Sequence, residues 1–187
     1  MKQSSVKQNI IQTAAHLFYQ NGYNLTGINE IIREAGIAKA TLYNHFKSKT
    51  DICVAYLEFK NGELMSSLHI FVNKYDKGDA RVLSLFEFLK SFFKSKGFNG
   101  CWCINTVSEL PHSEENIRAV IKGQKNGLLQ FIKNLVEENL ETESKSELDI
   151  LSKQIYLLYE GAISESHLHQ DIWPIKSAKS LCEKLIS

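Results

Sequence analysis

Apolar side chains recur along most of this chain at the three- and four-residue spacing of a helix, and the alternation of a strand is absent. Ile10, Ala14, Leu17 and Phe18 form one stripe, which predicts a helix over 5–20 closed by Asn21-Gly22. Ile28, Ile31, Ile32 and Ala35 form the next, at i, i+3, i+4 and i+7. Thr26 stands where a hydroxyl caps that second helix, and Gly36 where a left-handed residue ends it. Ile37 then turns back toward the core. A third short helix over 39–45 buries Leu42 and Phe46 and leaves Lys39, Ala40, Thr41, Tyr43 and His45 outside. Two short helices joined by a glycine turn, the second with a polar and basic free face, make the pattern of a helix-turn-helix DNA reader.

Longer helices follow. Ser48 caps one over 51–73, with Asp51 at the capping-box spacing. Lys77-Gly78-Asp79 breaks the chain, and Asp79 is placed to cap a helix over 80–96. A loop at 97–100 leads to a short helix over 102–110, stopped by Pro111. Ser113, with Glu114 and Glu115 in the first turn, opens an amphipathic helix to 140. Ser144 and Glu147 pair as a capping box for a helix over 146–170, and Pro174 starts a last one ending near 186. The expected fold is all-α with about nine helices. A three-helix reading domain at 1–50 precedes a larger helical regulatory and dimerisation domain at 51–187.

Composition narrows the function. At 187 residues, 43% hydrophobic and 23% charged, the chain matches an ordinary soluble globular protein with room for one sizeable core or two small ones. It shows no apolar run of membrane-spanning length and no signal-peptide pattern, so a cytoplasmic protein without membrane attachment is expected. The net charge of +1 is uneven: residues 1–50 hold six basic and two acidic side chains, and the rest hold 16 and 19. A basic module on a mildly acidic body suits a phosphate-facing end. No nucleophile–base pair, phosphate loop or metal set stands out, so neither an enzyme nor a cofactor is expected. His69, His112, His167 and His169 do not make a metal site, since the last pair fall on different sides of a helix.

Over its first 55 or so residues the sequence resembles TetR-family transcriptional regulators. The matching residues are Ala14-Ala15, Leu17-Phe18, Gly22-Tyr23, Thr26, Ile31, Ala35-Gly36, Lys39, Thr41-Leu42-Tyr43, His45-Phe46 and Ser48-Lys49. The resemblance implies that the 39–45 helix enters the major groove, with Lys39, Ala40 and Thr41 nearest base edges. Thr41 would meet a thymine methyl or a base hydrogen-bonding group. Tyr43, His45 and Lys49 would contact phosphate, as would the start of the second helix at Thr26 and Gly27. Where the family usually has Ser or Thr, this chain has Ala38; where it usually has Gly or Pro, Ala40; and where it often has Ser, Gly27. These departures remove an N-cap and a hydroxyl contact.

The same resemblance implies a body that dimerises and binds a small molecule. One short helix reads too few base pairs to choose an operator from a genome, so a homodimer on a palindromic site is expected. Ile155, Leu158, Gly161, Ala162, Ile163 and Leu181, on the last two helices, are the candidate interface. Phe88, Phe92, Trp102, Asn105, Phe131, Tyr156 and Tyr159 are the candidate ligand contacts, which favours an apolar or aromatic effector that releases a repressor from DNA. Cys101 and Cys103 carry an alternative. Packing is the plain reading of both, while sensing of oxidants or electrophiles requires a thiolate stabilised by nearby positive charge, for which Lys94 and Lys96 are nearest in sequence.

Overall fold

The computed structural model describes residues 2–141 and 144–187. Helices and their connections account for all of the described residues, in the order α1 Lys2–Asn21, α2 Ile28–Glu34, α3 Lys39–His45, α4 Lys49–Val72, α5 Asp79–Phe93, α6 Trp102–Glu109, α7 Glu115–Asn139, α8 Lys145–His169 and α9 Trp173–Ile186. The all-α expectation is met, and most boundaries fall within two or three residues of those read from the periodicity.

Local signals explain this agreement. Gly36 takes φ +64°, its N–H bonds the Arg33 carbonyl, and the Ile37 N–H reaches back to Ile32 at 3.2 Å, so a Schellman turn ends α2. Ser48 Oγ accepts the Asp51 N–H at 3.1 Å, and Asp51 Oδ2 accepts from the Lys47 N–H at 3.0 Å. Ser144 Oγ accepts the Glu147 N–H at 3.1 Å, capping α8 as its sequence implies. Pro174 lies in the first turn of α9, where its missing N–H costs nothing.

Two capping assignments are corrected. Asp79 is the first residue of α5, not its cap; Gly78 occupies that place at φ +99°, and its N–H donates to Asn139 Oδ1 at 3.2 Å. Thr26 does not cap α2 either. Gly27 is the N-cap residue, without a side-chain cap bond, while the fully buried Thr26 hydroxyl donates to the Gly22 carbonyl at 2.8 Å. Its side chain turns into the core, where the preceding turn satisfies it.

The chain divides into two compact units. The first joins the chain up to Glu63 to Trp102–Gly123, and so contains α1–α3, the first part of α4, all of α6 and the start of α7. Ile10, Ala14, Phe18, Ile31, Leu42, Phe46, Ile52 and Tyr56 are buried in it, with the Phe18 and Tyr56 rings 5.5 Å apart. The second joins Leu64–Cys101 to Gln124–Ser187, where α5, α8 and α9 pack on one another. Leu85, Phe86, Leu89, Ile155, Tyr159, Ile163, Ile175 and Cys182 are buried there. Among the described residues no helix is long and apolar enough to cross a membrane.

Candidate nucleic-acid interface

Helix α3 buries Leu42 and presents its opposite side to solvent. Lys39, Ala40 and Tyr43 are exposed, and Thr41 and His45 are half-buried. Ala38 holds the N-cap position of α3 without a side-chain bond, as the missing hydroxyl implies. Phe46 is buried and ends the helix in extended backbone, its N–H still bonded to the Leu42 carbonyl at 2.9 Å. The short helix is thus anchored by two apolar side chains, and its polar face is free to meet a ligand.

Gly27 is exposed at the start of α2. Lys49 is half-buried at the start of α4: its Nζ stands 4.4 Å from the Tyr23 ring centroid and 3.4 Å from the Asn24 carbonyl. Burial lowers the Lys49 pKa from its ordinary value, and burial raises that of Tyr23. The same turn meets a residue that the sequence did not single out. Glu109, at the end of α6, accepts the Asn24 N–H at 2.7 Å, although 85 residues separate the two. No periodic or motif signal marks a contact of that separation.

The candidate ligand contacts fall in both units. Trp102 and Asn105 belong to the first, where Lys60 Nζ lies 5.5 Å from the Trp102 ring and 5.7 Å from the Tyr19 ring. Phe88, Phe92, Phe131, Tyr156 and Tyr159 belong to the second. Phe88 stacks edge-on against Phe71 at 5.4 Å, Phe92 against Phe98 at 5.4 Å, and Phe131 against His69 at 6.3 Å. Tyr159 is buried beside Phe86, and that burial pushes its hydroxyl pKa up, while Tyr156 is half-buried.

Of the candidate interface residues, Ile155, Ala162 and Ile163 are buried within their own unit, Leu158 is half-buried, and Gly161 and Leu181 are exposed. Besides Leu181, the exposed large apolar side chains on these helices are Ile150, Leu157 and Leu168 on α8, and Trp173 and Leu185 on α9. Leu157 is 66% and Leu168 73% exposed, and both share a helical stripe with Gly161.

All four cysteines are free and buried. Burial pushes the Cys53 and Cys182 thiols up to about 12. The cation that meets Cys101 is Lys125, whose Nζ stands 3.2 Å from Sγ and 2.6 and 2.7 Å from the Glu160 carboxylate oxygens. Among the described residues no three His, Cys, Asp or Glu side chains are grouped to hold a metal ion.

The family model of bacterial regulatory proteins of the tetR family matches residues 10–56, the span of α1 through the first turns of α4. Residues 10–56 therefore match the DNA-binding segment of the TetR family. The matched relatives are named as transcriptional regulators, which supports DNA-binding regulation rather than enzymatic activity. A relative named as the fatty acid metabolism regulator protein of Bacillus subtilis is 28% identical over 169 residues, covering 89% of this chain and 84% of that one. The HTH-type transcriptional repressor NemR of Escherichia coli K12 is 20% identical and covers 97% of this chain and 94% of its own. Among solved structures, a TetR-family regulator from Streptomyces coelicolor superposes with a TM-score of 0.87 at 22% identity, covering 98% of this chain and 95% of that one. The reduced form of E. coli NemR superposes at 0.85 and 19% identity, with 98% of each chain covered. The likeness in fold therefore covers 98% of the chain, beyond the segment that the family model matches.

Proposed function

We propose that this TetR-family regulator is a homodimeric repressor that reads a palindromic operator with α3 and leaves it when a small, largely apolar or aromatic effector binds the body. Residues 1–50 read DNA in this account, and residues 51–187 regulate and dimerise. The observation that carries it is the free face of α3: Lys39, Ala40 and Tyr43 are exposed over the buried Leu42, inside the segment that matches the family model. That face fits a major groove. Tyr43, His45 and Lys49 are the phosphate contacts, and Thr41 the base contact. Lys49 would leave the Tyr23 ring for phosphate by turning about its side-chain torsions.

The names of relatives supply the sign and a first effector panel. NemR is named a repressor, and the B. subtilis relative is named for fatty acid metabolism. Fatty acyl compounds join aromatic ones as candidates, since either satisfies a lining with few charges. A gel-shift titration against promoter DNA from the protein's own locus tests the proposal. Site-specific, salt-sensitive binding that falls on adding an acyl or aromatic compound supports it. Specific binding that none of these compounds alters sinks the effector class and spares the DNA reading.

One observation favours a second reading, in which the effector is an electrophile captured by Cys101. Lys125 stands at hydrogen-bond distance from Sγ and can stabilise a thiolate there, the condition that reactivity requires. With an activated alkene the sulfur forms the new S–C bond, and the thiol proton ends on the neighbouring carbon. Brief treatment with N-ethylmaleimide followed by peptide mass spectrometry distinguishes the two readings. Capture predicts Cys101 labelled first, with Cys53 and Cys182 spared because burial pushes their thiols up to about 12. Labelling that starts elsewhere, or that Lys125→Met leaves unchanged, rejects it.

A further inference from the structure

The turn between α1 and α2 is held from outside the helix-turn-helix. Glu109 accepts the Asn24 backbone N–H on Oε2 at 2.7 Å, and its own carbonyl accepts from Asn24 Nδ2 at 2.8 Å. Gly22, at φ +92°, lies so close that a Cβ there would stand 2.6 Å from Glu109 Oε1. The turn passes this position on, because the buried Thr26 hydroxyl bonds the Gly22 carbonyl at 2.8 Å immediately before Gly27, the N-cap residue of α2. Lys49 holds the same turn from α4, through the Asn24 carbonyl and the Tyr23 ring.

Helix α6 is itself anchored within this unit. Its first residue, Trp102, lies beside Lys60. Just beyond its end, Arg118 Nη2 donates to the Leu110 carbonyl at 2.7 Å. Glu109 is therefore a carboxylate at the end of a fixed helix, and it accepts the backbone N–H of Asn24 in the turn. A charged acceptor makes a shorter and stronger bond to a backbone N–H than a neutral one does.

From this geometry we infer that Glu109 is a positioning residue for operator binding. It acts through Asn24, Gly22 and Thr26 to set where α2 starts and so how α3 is presented. The inference rests on the DNA-reading role of α3. A second physical effect has the opposite sign. A carboxylate bonded to the turn of the basic 1–50 segment repels phosphates, so charge alone predicts that removing it tightens DNA binding. Positioning predicts that removal weakens binding.

The direction of the change is therefore the test. The probe is an operator duplex selected from a random library by the wild-type protein. Its affinity for wild type, Glu109→Ala, Glu109→Gln and Asn24→Ala is measured by fluorescence anisotropy at several salt concentrations, alongside thermal melting and amide hydrogen exchange. Glu109→Ala is expected to weaken binding roughly tenfold, the scale of one charge-assisted hydrogen bond, with the salt slope unchanged. Exchange should quicken at residues 24–28 and not across the other helices. Glu109→Gln keeps an amide oxygen for the Asn24 N–H and should recover most of the affinity. Asn24→Ala keeps its N–H and should fall between. Wild-type or tighter binding by Glu109→Ala overturns the inference. So does a loss that matches the loss of folded protein, with exchange rising evenly. If Glu109→Ala does not fold, unchanged affinity and unchanged local exchange in both other variants overturn it equally. If the library yields no operator, the exchange measurement still tests the hold on the turn, and the failure falls on the DNA reading.

Discussion

Single residues in the two units are under different demands. On α3 the demand, in the proposed function, is for contact with DNA. Tyr43 is exposed, so Tyr43→Phe removes a hydroxyl from solvent and leaves the core untouched. If that hydroxyl meets phosphate, affinity should fall by a similar factor for every DNA sequence tried; if Thr41 meets a base, Thr41→Ala should instead change preference at one position of each half-site. Competition binding with single-base operator variants checks both, and a Tyr43→Phe effect confined to one position contradicts the phosphate role. In the 97–101 loop the demand is for close packing. Gly100 sits at φ +73°, and a Cβ there would lie 2.8 Å from the His167 ring, which Asn99 Oδ1 meets at 2.9 Å from Nε2. Gly100→Ala therefore adds backbone strain to a clash with a ring, and should cost about 1–3 kcal/mol in urea unfolding. A loss within experimental error would mean that the loop moves away from α8 at little cost.

Between elements, ion pairs supplement the apolar packing. Lys179 Nζ on α9 lies 2.9 Å from Glu87 Oε1 on α5. The Lys179 hydrogen bond holds the Glu87 carboxyl below its ordinary pKa, and the same bond raises that of Lys179. A depressed carboxylate contributes stability above its unfolded pKa and loses it as pH falls through the lower folded value. A raised ammonium contributes below its unfolded pKa and loses that contribution as pH rises through the higher folded value. The pair thus acts across the neutral range and fades on both sides. With side chains 28% and 31% exposed, it is screened by solvent, and Glu87→Gln should cost at most about 1 kcal/mol at neutral pH. The cost should shrink as Glu87 protonates in the wild type. Urea unfolding across the acid range measures this, and a cost that persists unchanged in acid would have to come from packing.

At the scale of the molecule, assembly is the property on which the proposed operator reading depends. Ala162 is only 3% exposed, so a charge placed there would test folding rather than association. Leu157 is the better probe. It is exposed on the stripe of α8 that carries Gly161 and Leu168, and exposed apolar stripes of this kind mark association surfaces. Leu157→Glu should leave the melting profile of the monomer intact, shift sedimentation from dimer to monomer, and abolish tight binding to a palindrome while sparing weak binding to one half-site. A variant that stays dimeric places the interface elsewhere.

The helices were legible in the sequence because their determinants act within a turn or two. The Ser48 and Ser144 caps reach three residues, the Gly36 turn closes over five, and an apolar stripe repeats every three or four. The exposed face of α3 followed from the same spacing, since burying Leu42 leaves Lys39, Ala40 and Tyr43 outward. What the sequence could not assign was the partner of each face. Its apolar pattern does not distinguish Ile155 and Ile163, which cover their own unit, from Leu157 and Leu168, which remain exposed. Nor does it show that Thr26 turns inward, that Glu109 holds Asn24 from 85 residues away, or that Lys125 reaches Cys101 from 24. Those contacts leave no period in the chain, because they depend on how helices pack against one another, and only the tertiary structure decides that.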